Sequence, residues 1–236
     1  MQRLLFFYLF FPAIGAAGQL PDSLPRDFGE AKDSLASIYY TAQKENSHLY
    51  NGRQFYSYSS SILGHAFYRS SEWEKGSVLY DGLWYHNISM LYDVYRDELV
   101  ISHPNLIPVI LISERVSQFV IKGEVFVYLG ENKKEIVEKG FYQLLKDGKA
   151  VVYKKSFKLL DEKIEGQQVQ REFFLTEQFF VRMNYVYYRI KRQQDLLNVF
   201  KDKNREVNQY KNQLKLKYKG NAEKFIVTVA QYYNQL

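Results

Sequence analysis

The sequence predicts a mainly β (α+β) fold: an antiparallel β-meander forming an open barrel, a curved sheet or a sandwich, with an N-terminal helix and a C-terminal helical pair. Three observations predict it. Aromatics make up 17% of the 236 residues, with 21 Tyr and 17 Phe but only 5 Pro, and such rings fit a pleated, half-buried surface. From Leu49 to Ile190, short runs of Val, Ile, Leu, Phe and Tyr are separated by turn residues. Helical spacing of apolar residues is confined to the two ends.

The elements follow in order. Residues 1–18 carry Arg3, an apolar run from Leu4 to Phe11, Pro12 and the small residues Ala16 and Gly18, the order of a secretory signal peptide cut before Gln19. The apolar run is shorter than the ~20 residues of a spanning helix, so no transmembrane span is expected in the mature chain. Residues 19–48 form a lead-in and an amphipathic helix, because Phe28, Ala31, Leu35, Ile38 and Ala42 recur at intervals of three and four.

Residues 49–190 read as the antiparallel domain, since no helical crossover separates its strands. Strands are expected at 77–80, 83–88, 91–95, 99–102, 109–112, 116–122, 125–128, 140–145, 150–158, 169–175, 179–182 and 185–190. Asp81-Gly82 and Asp147-Gly148 suit type I′ turns. Weaker turn signals are Tyr95 to Leu99, Lys122-Gly123, Gly130 to Lys134 and Met183-Asn184.

Residues 191–236 read as a basic helical appendage. Leu196, Leu197 and Phe200 mark one face of a helix that continues or re-starts through Val207, Tyr210 and Leu214; after Lys219-Gly220, Asn221 caps a last helix striped with Phe225, Val229 and Tyr232, widened by Ile226, Ala230 and Tyr233. This segment holds ten Lys or Arg against four Asp or Glu, a net of +6 that equals the charge of the whole chain. Such a patch fits peripheral contact with an anionic surface: lipid, acidic glycan or nucleic acid. Export disfavours nucleic acid, and a solvated helix face explains the same residues.

The blocks "GSVLYDGLWYHNISMLYDVYRDELVI", "GFYQLLKDGKAVVYKK" and "KYKGNAEKFIVTVAQYYNQL" resemble small exported proteins of uncharacterised function from Bacteroidota-type bacteria. The resemblance implies an envelope location, periplasmic or associated with the outer membrane. Its motifs are strands and helices, and it supplies no catalytic residue.

Chemistry leaves few marks. The chain has no Cys, which excludes thiol catalysis and disulfides and fits export. There is no Gly-x-Ser-x-Gly elbow, no Ser-x-x-Lys pair and no phosphate-binding glycine loop. His48, His65, His86 and His103 lack the spacing of a helical zinc pair, so a metal site needs the sheet to gather the last three. Glu72, Glu74, Asp93, Asp97 and Glu98 are the carboxylates from which a glycosidase pair would come; turns and ion pairs explain them more economically. Trp73, Trp84, Tyr85, Tyr92 and Tyr95 could form a flat platform for sugar rings, although rings across a sheet also pair with each other.

The reading that results is a non-enzymatic interaction or structural module of the envelope, without catalytic, metal or cofactor residues, partnered by another envelope protein or a glycan. The alternatives are a glycan-binding module using the five aromatics and a small glycan-directed hydrolase using a carboxylate pair.

Overall fold

A computed structural model describes residues 48–103, 106–130, 136–165, 168–214 and 216–236. The leader and the stripe from Phe28 to Ala42 lie outside them, as does most of the turn expected at Gly130 to Lys134.

Among the described residues twelve strands form one sheet: β1 (Arg53–Gln54), β2 (Ile62–Leu63), β3 (Glu74–Tyr80), β4 (Leu83–Asp93), β5 (Glu98–His103), β6 (Leu106–Ile110), β7 (Val116–Ile121), β8 (Glu124–Leu129), β9 (Gly140–Lys146), β10 (Ala150–Glu165), β11 (Gln168–Met183) and β12 (Val186–Ile190). The order is β1-β6-β5-β4-β3-β7-β8-β9-β10-β11-β12, antiparallel throughout, with β2 added parallel to β11. Two meanders therefore share β3: one runs out through β4, β5 and β6, the other through β7 to β12. The sheet is not closed, but it curls until the Lys158 N–H donates to the Val94 carbonyl (3.1 Å).

Turn chemistry fixes the register. Asp81-Gly82 and Lys122-Gly123 have φ of 50° and 78°, and of 54° and 76°, the positive pair a type I′ turn requires. Asp147-Gly148 departs from the expected turn: only Gly148 has positive φ, and its N–H donates to Asp147 Oδ1 (2.9 Å) in a longer loop. The β11–β12 turn sits one residue later than expected, on Asn184 and Tyr185 with φ of 50° and 62°.

Two pairs of expected strands are single long strands. Tyr85 stands opposite Val78 but Ile88 opposite Gly76, so β4 carries an extra residue where Asn87 has φ of 57°. That bulge absorbs the Asn-Ile-Ser break without ending the strand.

One face of the sheet holds a core in which Tyr92 meets Phe119, Phe126 and Phe141 at 5.2, 5.1 and 5.8 Å, while Phe119 stacks on Phe126 at 4.8 Å. Each aromatic pair adds about 0.5–1.5 kcal/mol beyond its burial. Along the same face of β9, Leu145 packs on a second core made with α1 (Gln193–Val199), α2 (Asn204–Gln213) and α3 (Ala222–Tyr233). Of the two readings of the first C-terminal helix, continuing or re-starting after Phe200, the structure has the re-start. The helix breaks because Phe200 is buried on the Tyr233 ring (4.3 Å) while Asp202, just beyond, accepts the Tyr233 hydroxyl (2.8 Å).

Polar contacts lock the helices to the sheet. Asn234 extends the ladder of β10, accepting from the Ala150 N–H (2.8 Å) and donating to its carbonyl (3.0 Å). Lys154, only 4% exposed, reaches Glu223 of α3 (2.8 Å) and Glu177 of β11 (3.4 Å).

Candidate functional site

The larger cleft described, about 620 Å³, opens where the β4–β5 turn meets Asn51 to Arg53, Ser113-Glu114, Tyr128 and Lys139-Gly140. Two of its acids, Asp97 and Glu98, come from the expected turn, which Asp93 supports from behind. Asp93 ends β4 and folds that turn: Oδ1 accepts from the Tyr95 and Arg96 N–H groups (2.9 and 3.0 Å), Oδ2 from the Tyr58 hydroxyl (2.5 Å). Asp97 closes it in the left-handed region, φ 59°, and points across to β9 and β10. Its Oδ1 accepts from the Tyr92 hydroxyl (2.6 Å), its Oδ2 from Lys155 Nζ (2.5 Å) and the Phe141 N–H (3.2 Å). Gly140 makes the approach possible, because a Cβ there would lie 1.9 Å from Asp97 Oδ2.

Glu98, facing Asp93 across the hairpin, gives one oxygen to Arg53; the other is buried without a hydrogen-bond partner among the described residues. Burial raises its carboxyl above the usual range, against the lowering effect of Arg53.

This arrangement limits the chemistry. Asp93 is 1% exposed, and both it and Asp97 are filled by donors from their own fold, so neither is free to activate water. Lys155 Nζ also donates to the Phe141 carbonyl (3.1 Å) and lies 4.9 Å from the Tyr142 ring centre. The remaining pair at the rim, Lys139 and Glu114 at 3.6 Å, is exposed on both sides. Elsewhere Glu74 pairs with Lys122, and the Glu72 N–H donates to Ser70 Oγ (3.0 Å).

The five expected aromatics do not share a face. Tyr85 and Tyr92 lie in the core. Trp84 shares their strand, but the bulge at Asn87 inverts the alternation, so Trp84 turns to the opposite face and stacks on His86 (5.8 Å, 10°). Trp73 precedes β3, 40% exposed. Tyr95, in the turn, meets Tyr58 and Phe173 edge-on at 5.9 and 5.3 Å. Of the histidines, His86 meets Ser77 Oγ at 2.9 Å, whereas His65 lies 3.4 Å from Lys158 Nζ. Among the described residues no three His, Asp or Glu are placed to hold a metal ion.

Sequence reasoning missed Tyr58, Gly140 and Lys155, the partners that determine what the turn acids do. They stand 35 to 58 residues from those acids, and only topology brings them near. It also missed a second cleft of about 260 Å³, lined by Tyr58, Phe67 and Phe173 with Ser57, Ser59 and Ser60.

Eight phenols among the described residues are raised by burial, four of them most strongly. Burial, reinforced by neighbouring carboxylates, raises Tyr58 (Asp93), Tyr68 (Glu124), Tyr92 (Asp97) and Tyr142 (Asp97) above their ordinary value of 10.0. A phenol raised in the folded chain stabilises it fully below the unfolded value and loses that contribution as pH climbs through the folded one. The protein is therefore expected to unfold above pH 10, with the tyrosinate absorbance of these four rising together with loss of circular dichroism. Their complete ionisation at intact circular dichroism would contradict the assignment.

Searches against protein-family models, curated proteins and solved structures returned no match to this chain.

Proposed function

We propose that this is an exported envelope protein acting as a non-enzymatic interaction module, whose docking element is the β10–β11 hairpin. The carrying observation is an arm that leaves the sheet. β10 and β11 pair from Ala150↔Met183 to Glu165↔Gln168, but β9 flanks β10 only at Val152 to Lys154 and β12 flanks β11 only from Phe179 to Met183. Beyond that, β2 covers Arg171-Glu172 and the Val94 carbonyl takes the Lys158 N–H, and past these the edges carry no further strand among the described residues.

Apolar side chains stand in water along the arm: Leu159 opposite Phe174, Ile164 opposite Val169, and Leu175, with Ile164 78% exposed. An uncovered strand edge beside exposed apolar side chains is a template for strand addition by another protein. In support, Asp97 of the larger cleft and Asp93 beside it are already occupied by bonds that build the fold, and the leader-like first residues together with the resemblance to exported proteins favour the envelope.

The test is capture from detergent-solubilised envelope by the full chain and by a variant with Leu159, Ile164, Val169 and Leu175 changed to Thr. Thr keeps strand propensity, so the variant is expected to retain its thermal midpoint and lose the captured protein. Equal capture by a folded variant would end the proposal.

A second reading, glycan binding, is favoured by the smaller cleft, where aromatic rings and serine hydroxyls line one cavity and Tyr95 packs beside it. Binding of soluble oligosaccharide unaffected by the arm substitutions separates the two.

A further inference from the structure

We propose that the outer side of the C-terminal helices docks on a membrane surface bearing anionic lipid. The acids of this segment are held by its own or neighbouring groups, while most of its cations are not. All four acids are engaged: Asp195 by Arg192 (3.3 Å), Glu206 by Lys203 (4.0 Å), Asp202 by the Tyr233 hydroxyl (2.8 Å) and Glu223 by the buried Lys154 of the sheet (2.8 Å). Lys191, Lys201, Arg205, Lys211, Lys217, Lys219 and Lys224 are left with no acidic partner among the described residues. Lys154 draws Glu223, the acid next to Lys224, toward the sheet.

The local structure turns these charges outward. Between α2 and α3 the chain alternates, with Leu214, Leu216 and Tyr218 packed on the helical core and Lys217 and Lys219 exposed between and after them. Lys224 is exposed on the first turn of α3. No membrane-crossing helix occurs among the described residues, so contact through this face is peripheral.

The chemistry of the face selects the partner. Aromatic rings interleaved with its lysines are used against one another, Tyr210 stacked on Tyr232 at 4.0 Å and Tyr218 edge-on to Phe225 at 5.8 Å. Single-stranded nucleic acid would need such rings free for its bases. What remains is mostly ammonium groups, hydrated point charges without the planar fork that reads a fixed anion geometry. They suit a fluid surface whose headgroups rearrange beneath them.

The test is co-sedimentation of the full chain with vesicles of phosphatidylcholine alone or in equal parts with phosphatidylglycerol, using wild type and a Lys217→Gln, Lys219→Gln, Lys224→Gln variant. Wild type is expected to bind only the anionic vesicles and to leave them at high salt. The variant is expected to bind about 100-fold more weakly, roughly fivefold per lysine, with an unchanged thermal midpoint, since the three side chains are exposed. Three results would overturn the proposal: equal binding to neutral vesicles, unaltered binding by the variant, or preference for a single-stranded oligonucleotide over the anionic vesicles at the same salt.

Discussion

Changing Asp97 to Ala is expected to destabilise the protein by about 3–5 kcal/mol, the range for breaking a buried charged network. Three donors converge on this carboxylate: the Tyr92 hydroxyl from a fully buried ring, the Phe141 N–H and Lys155 Nζ. None can turn to water without moving β4, β9 or β10: the Tyr92 hydroxyl and the Phe141 N–H lose their acceptor, and Lys155 Nζ keeps only the Phe141 carbonyl. Lys155 suffers most, because burial already lowers its amine below the ordinary value and Asp97 is what opposes that. A loss of that size lowers the thermal midpoint of a chain this long by roughly 10 °C. Asp97→Asn keeps an acceptor but not the charge and is expected to cost about half as much. Urea denaturation of the two variants checks both, and a loss below about 1 kcal/mol for Asp97→Ala would show that the network is not what closes this end of the sheet.

The second large effect lies at the joint between sheet and helices. Replacing both Glu177 and Glu223 by Ala strands the Lys154 ammonium in the interior, at a cost of about 3–5 kcal/mol. Replacing Lys154 by Met is expected to cost less than about 1.5 kcal/mol, because Met fills the space and the two glutamates, 39% and 45% exposed, are solvated. The asymmetry separates a buried charge that needs partners from partners that do not need the charge. Equal losses from the two variants, measured by denaturant titration, would mean that the ion pairs do not govern this joint.

Much of the fold was legible because its signals are local. Asp81-Gly82 and Lys122-Gly123 announce their turns by the φ they require, and the stripe of Phe225, Ile226, Val229 and Ala230 is the buried face of α3. Where a non-local partner decided the outcome, the pattern misled. Trp84 and Tyr92 share a parity that assigns them one face, but the ladder with β3 accommodates an extra residue at Asn87 and separates them. The residues near Phe200 leave continuation or re-start of the helix open, because the partner that favours the break, Tyr233, lies in another helix.

The candidate site divides in the same way. Asp93, Asp97 and Glu98 were visible as neighbours in sequence. Whether they form an acid pair or a structural hub depends on Tyr58, Phe141 and Lys155, and these arrive only through the curl of the sheet. The length of the arm was hidden for a related reason: the sequence of β11 continues without a breaker, but the neighbouring strands stop short of it.

The interaction reading is tested most directly by a photo-crosslinking side chain placed at Ile164 on the arm and, as a control, at Tyr188 on β12, in the full chain within the exporting cell. The account predicts a discrete protein adduct from position 164 and none from 188. An equal adduct from both positions, or none from the arm, would contradict it.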